Sequence, residues 1–447
     1  MKICVIGGGP CGTYISYMLG SQGHSVELYE CQSYLGGCWH NTKVDSKYFS
    51  EHSPRIMFNN YYNTINFMHE IGIEFNQEFK KVFGTFSKSF RLLKEFTYSD
   101  LFSLTKAYLL PLSSFKNYKV SDLVEYYKIS KNGAEQLNEL CYTIDGVSMY
   151  TMTATEFLET MDKTMLYSGY EAKTNSDTYL IPKLEKALSE VGVHVHCNCE
   201  LKHVHGTNVK IYNTITEKHI NLQYDKIIVC IPPIDFGKVL QYSSKDIKYN
   251  WGKISNKNSY TGFGIQYHFK KDISKYYKHS DILGDWKIIA TYNKSSKCIS
   301  CVVLEFNLKS SFTNKTLNEC SKHEIINEVW RIIKCNVLVE LYDHVTISPG
   351  ITKTYEGYKC PHNAFIRNNN YIDYQGFKDL NVYYVGPHNK TYMPFTSYES
   401  AIQSAKIFLK KSKLYSKFLY VYSPLSFKSV MLFFIFFIIL IFIFIRN

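Results

Sequence analysis

Apolar and polar positions along the chain fall into three regimes. The first alternates short apolar runs of strand type with helical spacing. Residues 2–7 (KICVIG) read as a strand, residues 13–19 as a helix and residues 25–30 as a second strand. This regime returns near Thr178, with a helix over 179–191, strands over 194–197 and 200–205, and an apolar strand ended by Pro232-Pro233. A last strand spans 381–386. The second regime, over 75–169, is helical and aromatic, with few Gly or Pro breaks (101–109, 120–127 and 133–142). Strands over 260–269, 286–292 and 299–306 and a helix over 323–334 come after it. The third regime is residues 430–445 (VMLFFIFFIILIFIFI), sixteen apolar residues without interruption. The pattern predicts an α/β fold with strands of the buried, parallel type, a helical stretch between them and an apolar C-terminal helix.

The first turn carries the candidate chemistry. Gly7, Gly9 and Gly12 fit G-x-G-x-x-G between a strand and a helix, with Pro10 and Cys11 inside the motif. Gly7 permits the tight turn, Gly9 lets backbone approach a pyrophosphate, and Gly12 lets helix pack on strand. The helix N-terminus then offers N–H groups and partial positive charge to phosphates. Glu30, eighteen residues after Gly12 at the end of the second strand, is placed to accept from a ribose diol.

Composition excludes some classes. The net charge is +12, but seven of those charges lie after Glu399, where no acid occurs. The body carries about +5, with no basic stripe interleaved with aromatics, so nucleic acid is not an expected partner. Thirteen cysteines, odd in number and scattered, with no secretory leader before Lys2, fit free thiols in a reducing compartment. Cys298 and Cys301 form C-x-x-C inside a strand-like run, which points the two thiols to opposite faces. His194, His196, Cys197 and Cys199 read as ordinary strand residues, so no metal site is expected.

The residues after Glu30 sharpen the reading from dinucleotide to flavin. Gly36-Gly37 stands six and seven residues beyond it, in ECQSYLGGCW, and this resembles the N-terminal signature of the flavin amine oxidase superfamily. The superfamily includes amine oxidases, protoporphyrinogen oxidase and phytoene desaturase-like enzymes. By this resemblance Gly36, Gly37 and Trp39 lie close to FAD, although Cys38 stands where the family often has Arg. The G-G-x-W run is also similar to flavin monooxygenases, which need a second glycine fingerprint for NADPH. Gly262-Phe263-Gly264 lacks the third glycine and a subsequent helix.

Tyr224-Asp225 before an apolar strand and a double proline resembles the family element where the chain leaves the FAD domain. That alignment puts Leu201 beside the adenine. Glu51, His52 and Arg55 fall in a loop that lies against the flavin in superfamily members, and they read equally as ion pairs within that loop. The run Gly386 … Thr396-Ser-Tyr-Glu399-Ser-Ala401 resembles the C-terminal motif that closes the flavin site, so Gly386 and Glu399 are implied cofactor contacts. Pro387 replaces the usual acid, Ser400 the usual Gly, and Ser397 the tyrosine of the monoamine oxidase cage. The lysine of amine oxidases is missing near His268, which reads as a surface histidine at a strand end, so no catalytic base is assigned. No Cys lies between Val385 and Ser404 to form a thioether, so FAD is expected to bind noncovalently.

The resemblance implies a Rossmann-type FAD-binding domain, its parallel sheet discontinuous in sequence, over 1–80, 178–237 and 350–415, and an inserted α+β substrate-binding domain over 81–177 and 238–349. It implies an FAD-dependent oxidoreductase of amine oxidase type that moves hydride from a small organic substrate to flavin N5, with O2 or another acceptor reoxidising the cofactor. The alternatives are a membrane-associated desaturase or dehydrogenase of a lipophilic substrate, and a flavin-binding scaffold without catalysis. Residues 430–445, flanked by Lys428 and Arg446, predict a single-pass tail anchor. At about 1.5 Å per residue the run spans ~24 Å, and basic flanks can make up the difference from a ~30 Å membrane core. The preceding lysines place the body on the cytoplasmic side.

Overall fold

The computed structural model describes residues 1–45, 47–83, 95–241, 259–277, 282–334, 342–360, 363–365, 371–374 and 381–446. It opens with β1 (Lys2–Ile6), α1 (Pro10–Gly20) and β2 (Ser25–Tyr29), the strand–turn–helix–strand unit expected of the glycine motif. α2 (Tyr62–Glu70) comes next, then four helices of the insertion: α3 (Tyr98–Leu109), α4 (Val120–Tyr126), α5 (Lys131–Asp145) and α6 (Ala154–Thr164). Short polar side chains start three of these helices. Thr97 accepts from Asp100 N, Ser130 from Gly133 N and Thr153 from Glu156 N, each satisfying a donor the first turn leaves free. Phe115, Leu123, Leu137, Cys141, Phe157 and Leu158 give the insertion its own core.

The chain then returns through α7 (Ile181–Glu190), β3 (His194–His196), the hairpins β4 (Cys199–His205), β5 (Asn208–Asn213) and β6 (Lys218–Gln223), and β7 (Lys226–Val229). After α8 (Pro233–Gln241) come β8 (Phe263–His268), β9 (Ile288–Asn293), β10 (Cys298–Val303), α9 (Lys322–Lys334) and β11 (His344–Ile347). β12 (Val382–Tyr384), α10 (Tyr398–Ser412) and α11 (Phe427–Arg446) complete it.

Five strands drawn from distant parts of the sequence form one parallel sheet in the order β12-β7-β1-β2-β3. The run KICVI reads as continuously apolar because β1 is central and covered on both faces. α1 packs on α10 and α7 on one side of the sheet. β4, β5 and β6 form an antiparallel sheet whose apolar side joins the other face, with Leu201, Val204 and Ile211 beside Ile227 and Val229. A second four-stranded sheet, β9-β10-β8-β11, is antiparallel and is backed by α9, through Tyr267, Ile299, Val329 and Trp330.

Two expectations change here. His268 is not on the surface: it is 2% exposed, because β8 lies between β10 and β11 and its end is covered by the strand Phe49–Ser50. Its Nε2 lies 2.9 Å from the Phe49 carbonyl and 3.2 Å from Thr346 Oγ1, and burial lowers its pKa to about 4. The transmembrane tail anchor is not supported by the described residues, among which no helix is long and apolar enough to cross a membrane. α11 is one helix of 20 residues, but the side chains of 435 and 439–446 lie outside the described residues.

Candidate functional site

The glycine turn is built around one clamp. Gly8 N donates to Glu30 Oε2 at 2.6 Å, and Gln32 N donates to Glu30 Oε1 at 2.8 Å, so the carboxylate ties the turn to the end of β2. A carboxylate has about four acceptor positions, so Glu30 keeps capacity for a further donor in the cavity it lines. Gly9 and Gly12 differ in what surrounds them. A Cβ on Gly12 would lie 1.9 Å from the Gly7 carbonyl oxygen, inside the helix–strand contact. A Cβ on Gly9 would meet no protein atom within 4 Å and would project from the cavity wall. α1 starts at Gly9 without a side-chain cap, and Gly9, Pro10 and Cys11 line the cavity. That open helix N-terminus fits a pyrophosphate.

The double glycine closes onto this turn. Gly36 N donates to the Gly8 carbonyl at 2.9 Å, and Gly36 and Gly37 have φ of 102° and 55°. Gly37, Cys38 and Trp39 line the cavity, and Gly12 and Gly36 do not. Arg55 holds the stretch after them: its guanidinium donates to the carbonyls of Trp39 (3.1 Å) and His40 (3.2 Å) and to Asn41 Oδ1 (3.3 Å). It also sits over the Trp39 ring, 5.7 Å from its centroid. His52 and Arg55 reach the cavity. Glu51 does not: it accepts from Asn41 Nδ2 at 2.8 Å and Ser300 Oγ at 2.5 Å.

Leu201 lines the cavity from β4, and Cys230 to Pro233 line it from the end of β7. Gly386 and Pro387 line it after β12, and Thr396, Ser397 and Tyr398 at the start of α10. Gly386 N donates to Asn389 Oδ1 at 2.8 Å, and Ser404 Oγ donates to the same oxygen at 2.7 Å. Asn389 thus holds the turn that carries Pro387, a role sequence reasoning missed because its partners lie up to 17 residues away.

Glu399 is outside the cavity wall. Its Oε1 accepts from Asn63 N (3.2 Å), Asn63 Nδ2 (2.5 Å) and Gln403 Nε2 (3.0 Å); its Oε2 accepts from Thr64 N and Oγ1 (both 2.8 Å). It therefore latches α10 to the start of α2. Burial pushes its carboxyl above the ordinary glutamate range, and the Asn63 and Thr64 donors pull it back. Within the wall, Tyr398 lies edge-on to Trp39 at 5.2 Å and 80°. Its hydroxyl has no hydrogen-bond partner among the described residues, and burial raises its pKa.

Beyond this region the cavity continues under the antiparallel sheet, past Gly262, Ala290, Val302 and Leu304. It then enters the helical insertion, lined by Leu101, Leu104, Leu137, Leu140, Phe157 and Met161. The insertion's apolar positions thus divide between its own core and one wall of the cavity. The whole space is about 1250 Å³, above the ~300–1,000 Å³ of most single-ligand pockets, which leaves room for a dinucleotide and a second molecule. Gly262 and Gly264 flank and enter an antiparallel strand rather than a βα turn, so they form no second nucleotide site. Cys301 lies in the core between β10 and α9 while Cys298 does not, as the opposite-face reading requires. Among the described residues no group of His, Cys, Asp or Glu could hold a metal ion.

Residues 5–71 match the NAD(P)-binding Rossmann-like domain. A zeta-carotene desaturase of Synechocystis is 31% identical over 86 residues, which is 19% of this chain and 18% of that relative's length. Putrescine oxidase bound to putrescine is similar in structure at TM-score 0.62 and 11% identity, covering 92% of this chain and 99% of that one. Cyclohexylamine oxidase from Brevibacterium oxydans gives 0.60 at 9% identity, covering 90% and 96%. An oxidoreductase from Methanosarcina mazei gives 0.56 at 13%, covering 92% and 100%. The chain therefore carries a Rossmann-like α/β domain within a fold shared, along nearly its whole length, with these oxidases.

Proposed function

We propose that this chain is an FAD-dependent oxidoreductase of the flavin amine oxidase type, acting on a small organic molecule. The observation that carries the reading is the single cavity running from an uncapped helix N-terminus at Gly9 to an apolar chamber large enough for a second ligand. The site residues would hold FAD noncovalently: the α1 N-terminus and Gly9 at the pyrophosphate, Glu30 at a ribose, and Leu201 at the adenine. Gly37, Trp39, Gly386 and the start of α10 would flank the flavin end, where helix N–H groups favour negative charge. FAD held there would supply an acceptor for hydride from a substrate C–H, with O2 or another acceptor taking up the electrons. The chain's own part is to bind, orient and exclude water: Arg55 fixes the Trp39 turn, and Gly262, Ala290, Val302 and Leu304 supply an apolar stretch of the cavity wall. The amine-named neighbours support an amine substrate. The apolar insertion wall favours a second reading, a lipophilic substrate oxidised or desaturated at carbon.

We also propose that residues 430–445 attach the protein to a membrane, with the body on the cytoplasmic side, on the strength of the apolar run and the lysines before it. Resistance to carbonate extraction from cell membranes tests this, and release into the supernatant refutes it. For the catalytic reading, anaerobic bleaching of the flavin by amines and by lipophilic donors is the test. A bound FAD that no donor reduces would instead support a scaffold.

A further inference from the structure

We infer that the first turn of α11 belongs to the substrate site, where Phe427 and Met431 wall the far end of the cavity and select an elongated apolar substrate. The inference rests on the cofactor reading of the near end. Phe427 and Met431, four residues apart on one helix face, both line the same cavity as Gly9 and Gly37. They are half-buried, whereas Phe433, Phe434, Phe436 and Phe437 on the same helix are 51–65% exposed. One helix thus contributes a chamber wall and an outer apolar surface.

The helix root is fixed. Lys428 N (2.8 Å) and Ser426 Oγ (2.9 Å) donate to Asp162 Oδ1 on α6. The same oxygen accepts from Tyr108 OH at 2.6 Å, and the Tyr108 ring, itself in the cavity wall, lies 6.1 Å from Phe427. Lys428 Nζ donates to the Leu110 carbonyl at 2.9 Å and Leu425 N to Tyr167 OH at 2.9 Å. The incoming segment is held by Asn63, which accepts from Tyr422 N at 3.0 Å and donates to its carbonyl at 2.9 Å.

Most of the chamber wall is apolar; Thr105, Glu139, Thr143 and Tyr167 also line it, with Thr143 Oγ1 donating to the Glu139 carbonyl and Tyr167 OH accepting from Leu425 N. Three further polar groups of its wall are spent on the protein: Tyr108 OH on Asp162, Tyr142 OH on Glu305 (2.5 Å), and Thr164 Oγ1 on the Thr160 carbonyl (2.7 Å). The buried Thr160 hydroxyl has no hydrogen-bond partner among the described residues. A long, mostly apolar chain matches this wall.

The test uses the full chain in lipid nanodiscs and n-alkanols of four to ten carbons, with affinity read from the rise in thermal midpoint. Each methylene buried in the chamber should lower Kd about fourfold. Met431→Trp should end that gain at a shorter chain, and Met431→Ala should extend it. Phe434→Trp, on the outward face, should leave it as in the parent. A flat series in the parent, or the same series in Met431→Trp and the parent, overturns the inference. The visible spectrum of the same samples reports the cofactor separately: a colourless protein with a normal series refutes the flavin reading alone.

Discussion

Gly9 and Gly12 sit three residues apart in one turn, yet the structure separates their roles, and paired substitutions expose the difference. Gly9 has φ −74° and ψ −178°, a conformation open to any L-residue. A Cβ there meets nothing within 4 Å. Gly9→Ala should therefore leave the cofactor-free fold unchanged or raise its stability by ~0.4–1 kcal/mol through the unfolded chain. Its methyl would occupy the path of the pyrophosphate, so FAD affinity should fall at least about tenfold, or ~1.4 kcal/mol. Gly12→Ala places its methyl 1.9 Å from the Gly7 carbonyl oxygen, so α1 must shift off β1. Such overpacking costs about 1–3 kcal/mol or more, which lowers the midpoint of a nucleotide-binding unit by roughly 5–10 °C. The assay is thermal unfolding of protein stripped of cofactor, and then titration with FAD. A Gly9→Ala variant that unfolds early, or binds FAD like the parent, would refute the reasoning.

Glu399→Ala should destabilise by ~1–3 kcal/mol, because Asn63, Thr64 and Gln403 lose their buried acceptor; urea unfolding measures it, and a loss under ~0.5 kcal/mol would show the latch to be idle. Arg55→Lys loses the fork that grips two carbonyls beside the cavity; FAD affinity should drop about tenfold with little change in unfolding midpoint, and unchanged affinity would contradict its positioning role. His268, held near pKa 4 by burial, takes up a proton below pH 6.5 when unfolded but only near 4 when folded. Its stabilising effect is complete above about 6.5 and lost as pH falls toward 4. His268→Gln should flatten that part of the stability profile, and an unchanged slope would assign acid sensitivity elsewhere, for instance to His40, also lowered to about 4.

The nucleotide half was legible in the sequence because its constraints are local. A glycine motif, its flanking strand and helix, and an acid at the next strand end all lie within residues 2–30, and each needs only its neighbours to be read. The C-terminal strand and helix were legible by resemblance. The features that stayed hidden depend on contacts far apart in sequence. Glu399 turns from the cavity because Asn63 and Thr64, some 335 residues earlier, present donors to it. His268 reads as an exposed strand end until Phe49–Ser50 is laid over it. The insertion was expected by resemblance to wall the substrate site, but which of its apolar positions face core and which face cavity is not in the periodicity, which records burial alone.

The central claim is that this chain binds FAD. The direct measurement is the visible spectrum of the purified full-length protein before and after acid precipitation. Oxidised-flavin bands near ~370 and ~450 nm that leave with the supernatant are the expected result. A protein that is colourless as purified, and stays so after incubation with FAD and removal of the excess, would contradict it.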